Sequence, residues 1–246
     1  VIAFRAVEKA LGGRPVLRGV TLEARAGVVT FVVGPSGAGK SVLARHAAGF
    51  LRPDEGTVVV FGRNLADADG RALARLRRRC TFVPQGAALV DGLSLLENVM
   101  LGARAAGLSG RQAENEARAR LEEVGLDEVG SADPATCGPG VLMRAAVARA
   151  LALKPEMVIF DEPTSGLEPS AARAFDRLLG TLPSRGVGAL VISHDPVSIL
   201  SVADEIHLLL DGRVRLSGSR ELFRSSTSSE VRQFIDGVAD GPLPAW

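Results

Sequence analysis

The chain has 246 residues, 46% of them hydrophobic and 23% charged, enough to bury a sizeable core in one large α/β unit with a subdomain. Its formal net charge is +1, aromatics make up only 4% and tyrosine is absent, which excludes an overall basic field or an aromatic stacking platform for nucleic acid. Cys80 and Cys137 lie far apart without metal-ligand spacing, so a reducing compartment is expected, and neither a secretory leader nor a bilayer-spanning run is expected.

Residues 1–33 alternate apolar stretches with turns at Gly12-Gly13-Arg14-Pro15 and Arg25-Ala26-Gly27, which predicts several strands. The last of them, residues 28–33, is a buried strand by composition. It runs into Gly34-Pro35-Ser36-Gly37-Ala38-Gly39-Lys40-Ser41, which fits G-x-x-x-x-G-K-[ST], and a helical segment follows. In such a loop the glycines let backbone N–H groups turn inward around phosphate oxygens, and the helix start adds its positive dipole end. Lys40 supplies a point charge for β- and γ-phosphates, and the Ser41 hydroxyl can join a Mg²⁺ shell. The plain alternative is a glycine-rich turn that happens to contain a lysine; the strand–loop–helix context weighs against it.

Further along, residues 57–61 predict a strand stopped by Gly62, residues 73–79 a helix, and residues 81–83 a short strand ended by Pro84. The arginines Arg75, Arg77, Arg78 and Arg79 are expected to be a solvated helix end. Residues 94–124 read as helical, with Leu95, Leu96, Val99 and Met100 on one face, and residues 142–153 as a strong helix. Residues 157–160 predict a buried strand entering Asp161. Residues 170–182 predict a helix, residues 189–193 a buried strand, and residues 205–216 a hairpin around Asp211-Gly212. Short apolar strands alternating with helices imply a largely parallel sheet. The serines of residues 225–229 mark a junction to a C-terminal tail. Asp161, ending a strand, can hold Mg²⁺ through water, and Glu162 can polarise a water attacking a γ-phosphate. Alternatively, the two acids cap whatever helix follows.

Residues 161–169, Asp-Glu-Pro-Thr-Ser-Gly-Leu-Glu-Pro, make that alternative implausible. Here the chain resembles the nucleotide-binding subunits of ATP-binding cassette (ABC) transporters, whose pattern is D-E-P-T-S-x-L-D-P. Gln85, after Phe82-Val83-Pro84, matches the family's Q-loop glutamine, and His194, after Val191-Ile192-Ser193, matches its switch histidine. The resemblance covers about residues 1–220. It implies an α/β fold: a P-loop NTPase (RecA-like) core, an N-terminal antiparallel β subdomain and an inserted α-helical subdomain at about residues 86–153. Residues 221–246 would be a C-terminal extension and a possible dimer arm. It implies ATP and Mg²⁺ as cofactors. Residues Gly34, Pro35, Ser36, Gly37, Ala38, Gly39, Lys40, Ser41 and Val42 would hold the triphosphate, and Ser41, Gln85 and Asp161 the metal. Glu162, His194 and Gln85 would be the catalytic set. It further implies a second ATPase subunit, in a homodimer or a heterodimer, an integral membrane permease and no nucleic acid. The place of work would be the cytoplasmic face of the inner membrane.

The chain departs from the family at Cys137-Gly138-Pro139-Gly140-Val141, where L-S-G-G-Q is expected. In the family this loop caps the γ-phosphate bound by the opposite subunit, a role that would fall to Gly138 and Gly140. Gly138 has no hydroxyl and Pro139 no N–H, so slow turnover or an ATP-sensing regulatory subunit is an open alternative. Glu168 replaces the D-loop aspartate, and Val42 replaces a second Ser or Thr. Leu11 stands where an aromatic usually stacks on adenine, so Phe234 or Trp246 from a neighbouring subunit is expected to substitute. The tail from Val231 to Pro244 resembles that of the ATPase subunits in Mla/Mce-type phospholipid transport systems, which implies a lipid cargo in the bacterial envelope. A different cargo stays open.

Overall fold

The computed structural model describes residues 1–236 and Gly241. Two sheets organise the chain. The first is antiparallel: β1 (Ile2–Leu11), β2 (Arg14–Ala24), β4 (Glu55–Val60) and β5 (Arg63–Asn64), in the order β2-β1-β4-β5. The second holds β3 (Val29–Val33), β6 (Cys80–Val83), β7 (Met157–Asp161), β8 (Gly188–Ser193), β9 (Glu205–Leu210) and β10 (Arg213–Gly218). Its order is β10-β9-β3-β8-β7-β6, parallel throughout except for the β9–β10 hairpin.

β3, β7 and β8 are buried along their whole length, which is why they read as unbroken apolar runs and not as alternating ones. Alternate residues nevertheless serve different cores. Val32, Ile159 and Leu190 face the antiparallel sheet and α1 (Lys40–Ala47), packing with Ile2, Phe4 and Leu43. Phe31, Phe160 and Val191 face the other way. They pack with Phe175 of α6 (Pro169–Thr181) and Phe223 of α8 (Arg220–Ser225).

Three helices form a third core of their own: α3 (Leu95–Ala105), α4 (Gly110–Glu123) and α5 (Pro139–Leu151) pack through Leu95, Val99, Ala117, Leu121 and Ala148. The single helical stretch expected over residues 94–124 is therefore two helices. Gly107, at φ +97°, breaks it, because a left-handed backbone cannot continue a right-handed helix. Ser94 and Glu97 cap α3 reciprocally, a start signal that the apolar periodicity alone did not carry.

Two further expectations change. The arginines of α2 (Gly70–Arg79) are not uniformly solvated. Arg77 donates to the carbonyls of Ala48 and Gly49 and lies over the Phe50 ring, while Arg79 pairs with Glu156 and lies over Phe61. The sequence shows four adjacent charges; only the fold brings carbonyls and rings beneath two of them. Secondly, α9 (Ser229–Asp236) buries Val231 and Phe234 in this chain's own core. Phe234 is 1% exposed and so cannot reach a neighbour's adenine. Trp246 and most of the tail beyond Asp236 lie outside the described residues.

Candidate nucleotide site

Strand order assembles the site. β8 lies between β3 and β7, so the loops leaving the C-terminal ends of β3, β7 and β8 meet at one edge of the sheet. Those loops carry Gly34–Ser41, Glu162 and His194.

The P-loop leaves β3 through Gly34, at φ +147°, where an added Cβ would stand 2.1 Å from the Leu209 carbonyl oxygen. It enters α1 through Gly39, at φ +101°, against Leu17 and Val16. Glycine is required at both positions for close approach and for backbone conformation. No side chain caps α1, so its first-turn N–H groups keep their hydrogen-bonding capacity. Lys40 is 6% exposed, and its Nζ donates to the Gly34 and Pro35 carbonyls at 2.8 and 3.0 Å. The nearest carboxylate oxygen, on Glu162, is 3.7 Å away. Burial pushes the Lys40 ammonium below its usual range, against the pull of Glu162. A buried cation held mainly by neutral carbonyls, beside uncapped N–H groups, suits a multiply charged phosphate ligand.

Ser41 Oγ donates to Asp161 Oδ1 at 2.7 Å, joining the start of α1 to the end of β7. Burial raises the Asp161 carboxyl above the usual carboxylate range, and the Ser41 bond opposes the rise. Among the described residues no cluster of three or more His, Cys, Asp or Glu side chains could hold a metal. One hydroxyl and one carboxylate are a donor set for a hard cation that takes its other ligands from phosphate and water. The third expected metal ligand is placed elsewhere: Gln85 Nε2 lies 3.3 Å from Ser165 Oγ. Ser165 is a partner that sequence spacing does not indicate, because its contact joins loops 80 residues apart.

Glu162 adopts a left-handed backbone, φ +50°, with its N–H on the Ile192 carbonyl at 3.0 Å. For a non-glycine residue this costs on the order of 1–3 kcal/mol and fixes where the side chain stands. Its Oε2 lies 2.7 Å from His194 Nδ1. That contact raises the imidazole above its ordinary value, outweighing partial burial. The structure thus gathers Gly34–Ser41, Asp161, Glu162 and His194. Val42 packs its side chain partly into the core and offers its carbonyl to His46 Nδ1 at 2.7 Å.

Gly138 and Gly140 stand apart from this cluster, lining a groove with Gly166, Glu168 and Ala171. Gly138 is the N-cap of α5 and Pro139 its first residue, a position where proline is favoured because that N–H has no helical partner. Gly140 has a packing reason to be glycine: an added Cβ would meet Ala171 Cβ at 2.9 Å.

A glycine loop around a buried lysine, a strand-end acid pair and a histidine from the adjacent strand define a P-loop nucleoside triphosphatase. The ABC transporter family pattern matches residues 17–165, more than half of the chain, and the chain belongs to that family as an ATP-hydrolysing, ATP-binding subunit. It is 33% identical over 246 residues to the intermembrane phospholipid transport system ATP-binding protein MlaF of Escherichia coli K12, covering 99% of this chain and 91% of that protein. It is 39% identical over 223 residues to the lipoprotein-releasing system ATP-binding protein LolD 2 of Caulobacter vibrioides, covering 88% and 97%. A dimeric ATP-binding cassette solved in a post-hydrolysis state with ADP and Pi superposes with a TM-score of 0.81. It is 27% identical and covers 89% of this chain and 99% of that one.

Proposed function

We propose that this ATPase subunit powers phospholipid transport in a bacterial envelope, working as a pair of cassettes bound to an integral membrane permease at the cytoplasmic face of the inner membrane. The observation that carries the cargo is the similarity to MlaF over 99% of the chain, which takes in the tail beyond the cassette. Gly34 to Ser41 grip the triphosphate of ATP, with Lys40 on its terminal phosphates. Ser41 and Asp161, with Gln85, would hold Mg²⁺, which would neutralise charge on the phosphates. Glu162 polarises the attacking water and His194 positions it against the γ-phosphate. The protein contributes placement and charge, not covalent chemistry. Gly138 and Gly140 reach the partner's γ-phosphate, with the Gly140 N–H as the surviving donor. A homodimer is the simpler arrangement, and the extension from residue 221 is its candidate arm.

A second reading has its own observation. Gly138 offers no hydroxyl and Pro139 no N–H at the start of α5, so turnover is slow and the chain acts mainly as an ATP sensor. The test is steady-state ATPase activity of the chain purified with its permease in phospholipid nanodiscs and in detergent. Activity that rises with phospholipid supports the transport reading. Activity that stays near background in both, with ATP still bound, supports the sensor; activity that ignores phospholipid but responds to lipoprotein or amino acid assigns another cargo.

A further inference from the structure

We propose that Asp176 is a neutral carboxylic acid heading a hydrogen-bond chain from Asp176 to Ser198 to Asp195, and that this chain positions the loop carrying His194. The inference rests on the role given to His194 above.

Asp176 projects from α6 and is 6% exposed; its Oδ1 has no hydrogen-bond partner. Ser198, on α7 (Pro196–Val202), is equally enclosed. Its Oγ lies 3.0 Å from Asp176 Oδ2 and 2.9 Å from Asp195 Oδ2. A hydroxyl carries one proton and can donate to one carboxylate only. A second carboxyl at the same distance bonds to that oxygen only by donating a proton of its own. Asp195 is partly exposed, and its Oδ1 already accepts the Val197 N–H at 2.9 Å, so the acid proton falls to Asp176. The order is then fixed: Asp176 Oδ2–H donates to Ser198 Oγ, Ser198 Oγ–H donates to Asp195 Oδ2, and Asp195 Oδ1 accepts from Val197. The partnerless Oδ1 is the carbonyl oxygen of a neutral acid, which burial tolerates far better than half of an unpaired carboxylate.

Burial is also the main cause that raises the Asp176 carboxyl above its usual range, with Asp195 adding to the rise. The charged groups facing it are Asp195 and His194 from the loop and Arg173 and Arg177 from its own helix. Neither arginine makes a hydrogen bond or ion pair among the described residues. Arg173, Asp176, His194 and Asp195 border a cavity of about 470 Å³, and beside it the hydrogen-bond chain ties α6 to the segment that follows β8. When Asp176 releases its proton to solvent, two carboxylates face one hydroxyl proton. One of them is then repelled, and α6 separates from the segment that holds His194 against Glu162.

Three variants test this by ATPase pH profile and by NMR titration of the His194 ring, which is tractable because the chain has only three histidines. Wild-type kcat is expected to fall as pH rises through the titration of the cluster. Asp176→Asn presents an amide N–H to Ser198 and does not titrate, so that alkaline fall should disappear. Ser198→Ala removes the link and should lower kcat about tenfold with little change in KM for ATP, the size of one lost hydrogen bond to a charged group. Both should shift the His194 titration. An Asp176→Asn variant with the wild-type alkaline limb, or a His194 titration unmoved in both variants, overturns the proposal. His194→Gln with full activity would remove the role given to His194, while shifts of the His194 ring in the other two variants would still establish the hydrogen-bond chain.

Discussion

At the scale of single residues the site depends on charges kept a little short of neutralised. Lys40 meets carbonyls at 2.8 and 3.0 Å but its carboxylate only at 3.7 Å, so the ammonium retains charge for a phosphate. Glu162 is held by a strained backbone between Lys40, 3.7 Å from its Oε1, and His194, 2.7 Å from its Oε2. Replacing Glu162 by Gln keeps the shape and removes the carboxylate proposed as the base. Hydrolysis should drop roughly 10²- to 10⁴-fold while ATP is still bound, as read by single-turnover kinetics and nucleotide filter binding. Full hydrolysis by Glu162→Gln would assign the base elsewhere. Backbone freedom is the second residue-scale constraint. A Gly34→Ala side chain would have to occupy the 2.1 Å between its Cβ and the Leu209 carbonyl oxygen. The outcome expected is loss of soluble, cooperatively melting protein, not a folded enzyme with weak affinity.

At the scale of elements, the strands and the P-loop were legible because their signals are local. Residues 28–33, 157–160 and 189–193 are short apolar runs, and a P-loop announces itself by spacing. What stayed hidden depends on pairs distant in the chain. Nothing adjacent to Asp176 shows that Ser198 will face it, and the Gln85–Ser165 contact joins two separate loops. Phe234 reads in the sequence as a tail aromatic for a neighbour, and packing puts it in this chain's own core. Asn98 is another such case. It is fully buried on α3 and accepts the Val90 N–H at 2.7 Å, and its Nδ2, with two hydrogens to give, lies 3.1 Å from the carbonyls of Val90, Leu93 and Ser94. One side chain thus pins the loop from Val90 to Ser94 onto the helix that follows. Asn98→Ala leaves the Val90 N–H and the Val90 and Leu93 carbonyls without this partner, so urea denaturation should show a loss of about 1–3 kcal/mol. Proteolysis should then open this loop first.

At the scale of the whole molecule, the three histidines set opposing pH dependences. His46 and His207 are buried, and burial lowers both below the ordinary imidazole value. A lowered folded value means the unfolded chain takes up protons first. Their neutral forms therefore cost nothing above about pH 6.5, and stability is lost as pH falls from there through their folded values. His194 is raised by Glu162, so its contribution has the opposite sign. It is fully present below about pH 6.5 and disappears as pH rises through the raised value. His194→Ala should therefore lower the melting temperature more at pH 6 than at pH 9. Equal shifts at both pH values would mean that the contact with Glu162 does not govern the titration of His194.

The signature loop is where one chain's stability and a pair's catalysis can be separated. Gly138 has φ −73° and ψ 160°, ordinary N-cap geometry for any residue, and an added Cβ there meets nothing within 4 Å. Serine at this position is therefore free of strain, and as an N-cap it can satisfy a first-turn N–H of α5. Gly138→Ser should stabilise the isolated chain by roughly a few tenths of a kcal/mol, read by thermal melting without nucleotide. In the proposed pair the same hydroxyl would restore a donor toward the γ-phosphate held by the facing subunit. If two copies close on ATP as proposed, turnover should rise about tenfold or more, the worth of one hydrogen bond to a charged group, and the gain should grow with protein concentration as dimers form. Pro139 still withholds its N–H, so the gain stays below full repair. Added stability with unchanged turnover at every concentration would show that this end of α5 never reaches a nucleotide. A rise in turnover with no change in melting would show that the hydroxyl points across the interface and not back onto its own helix.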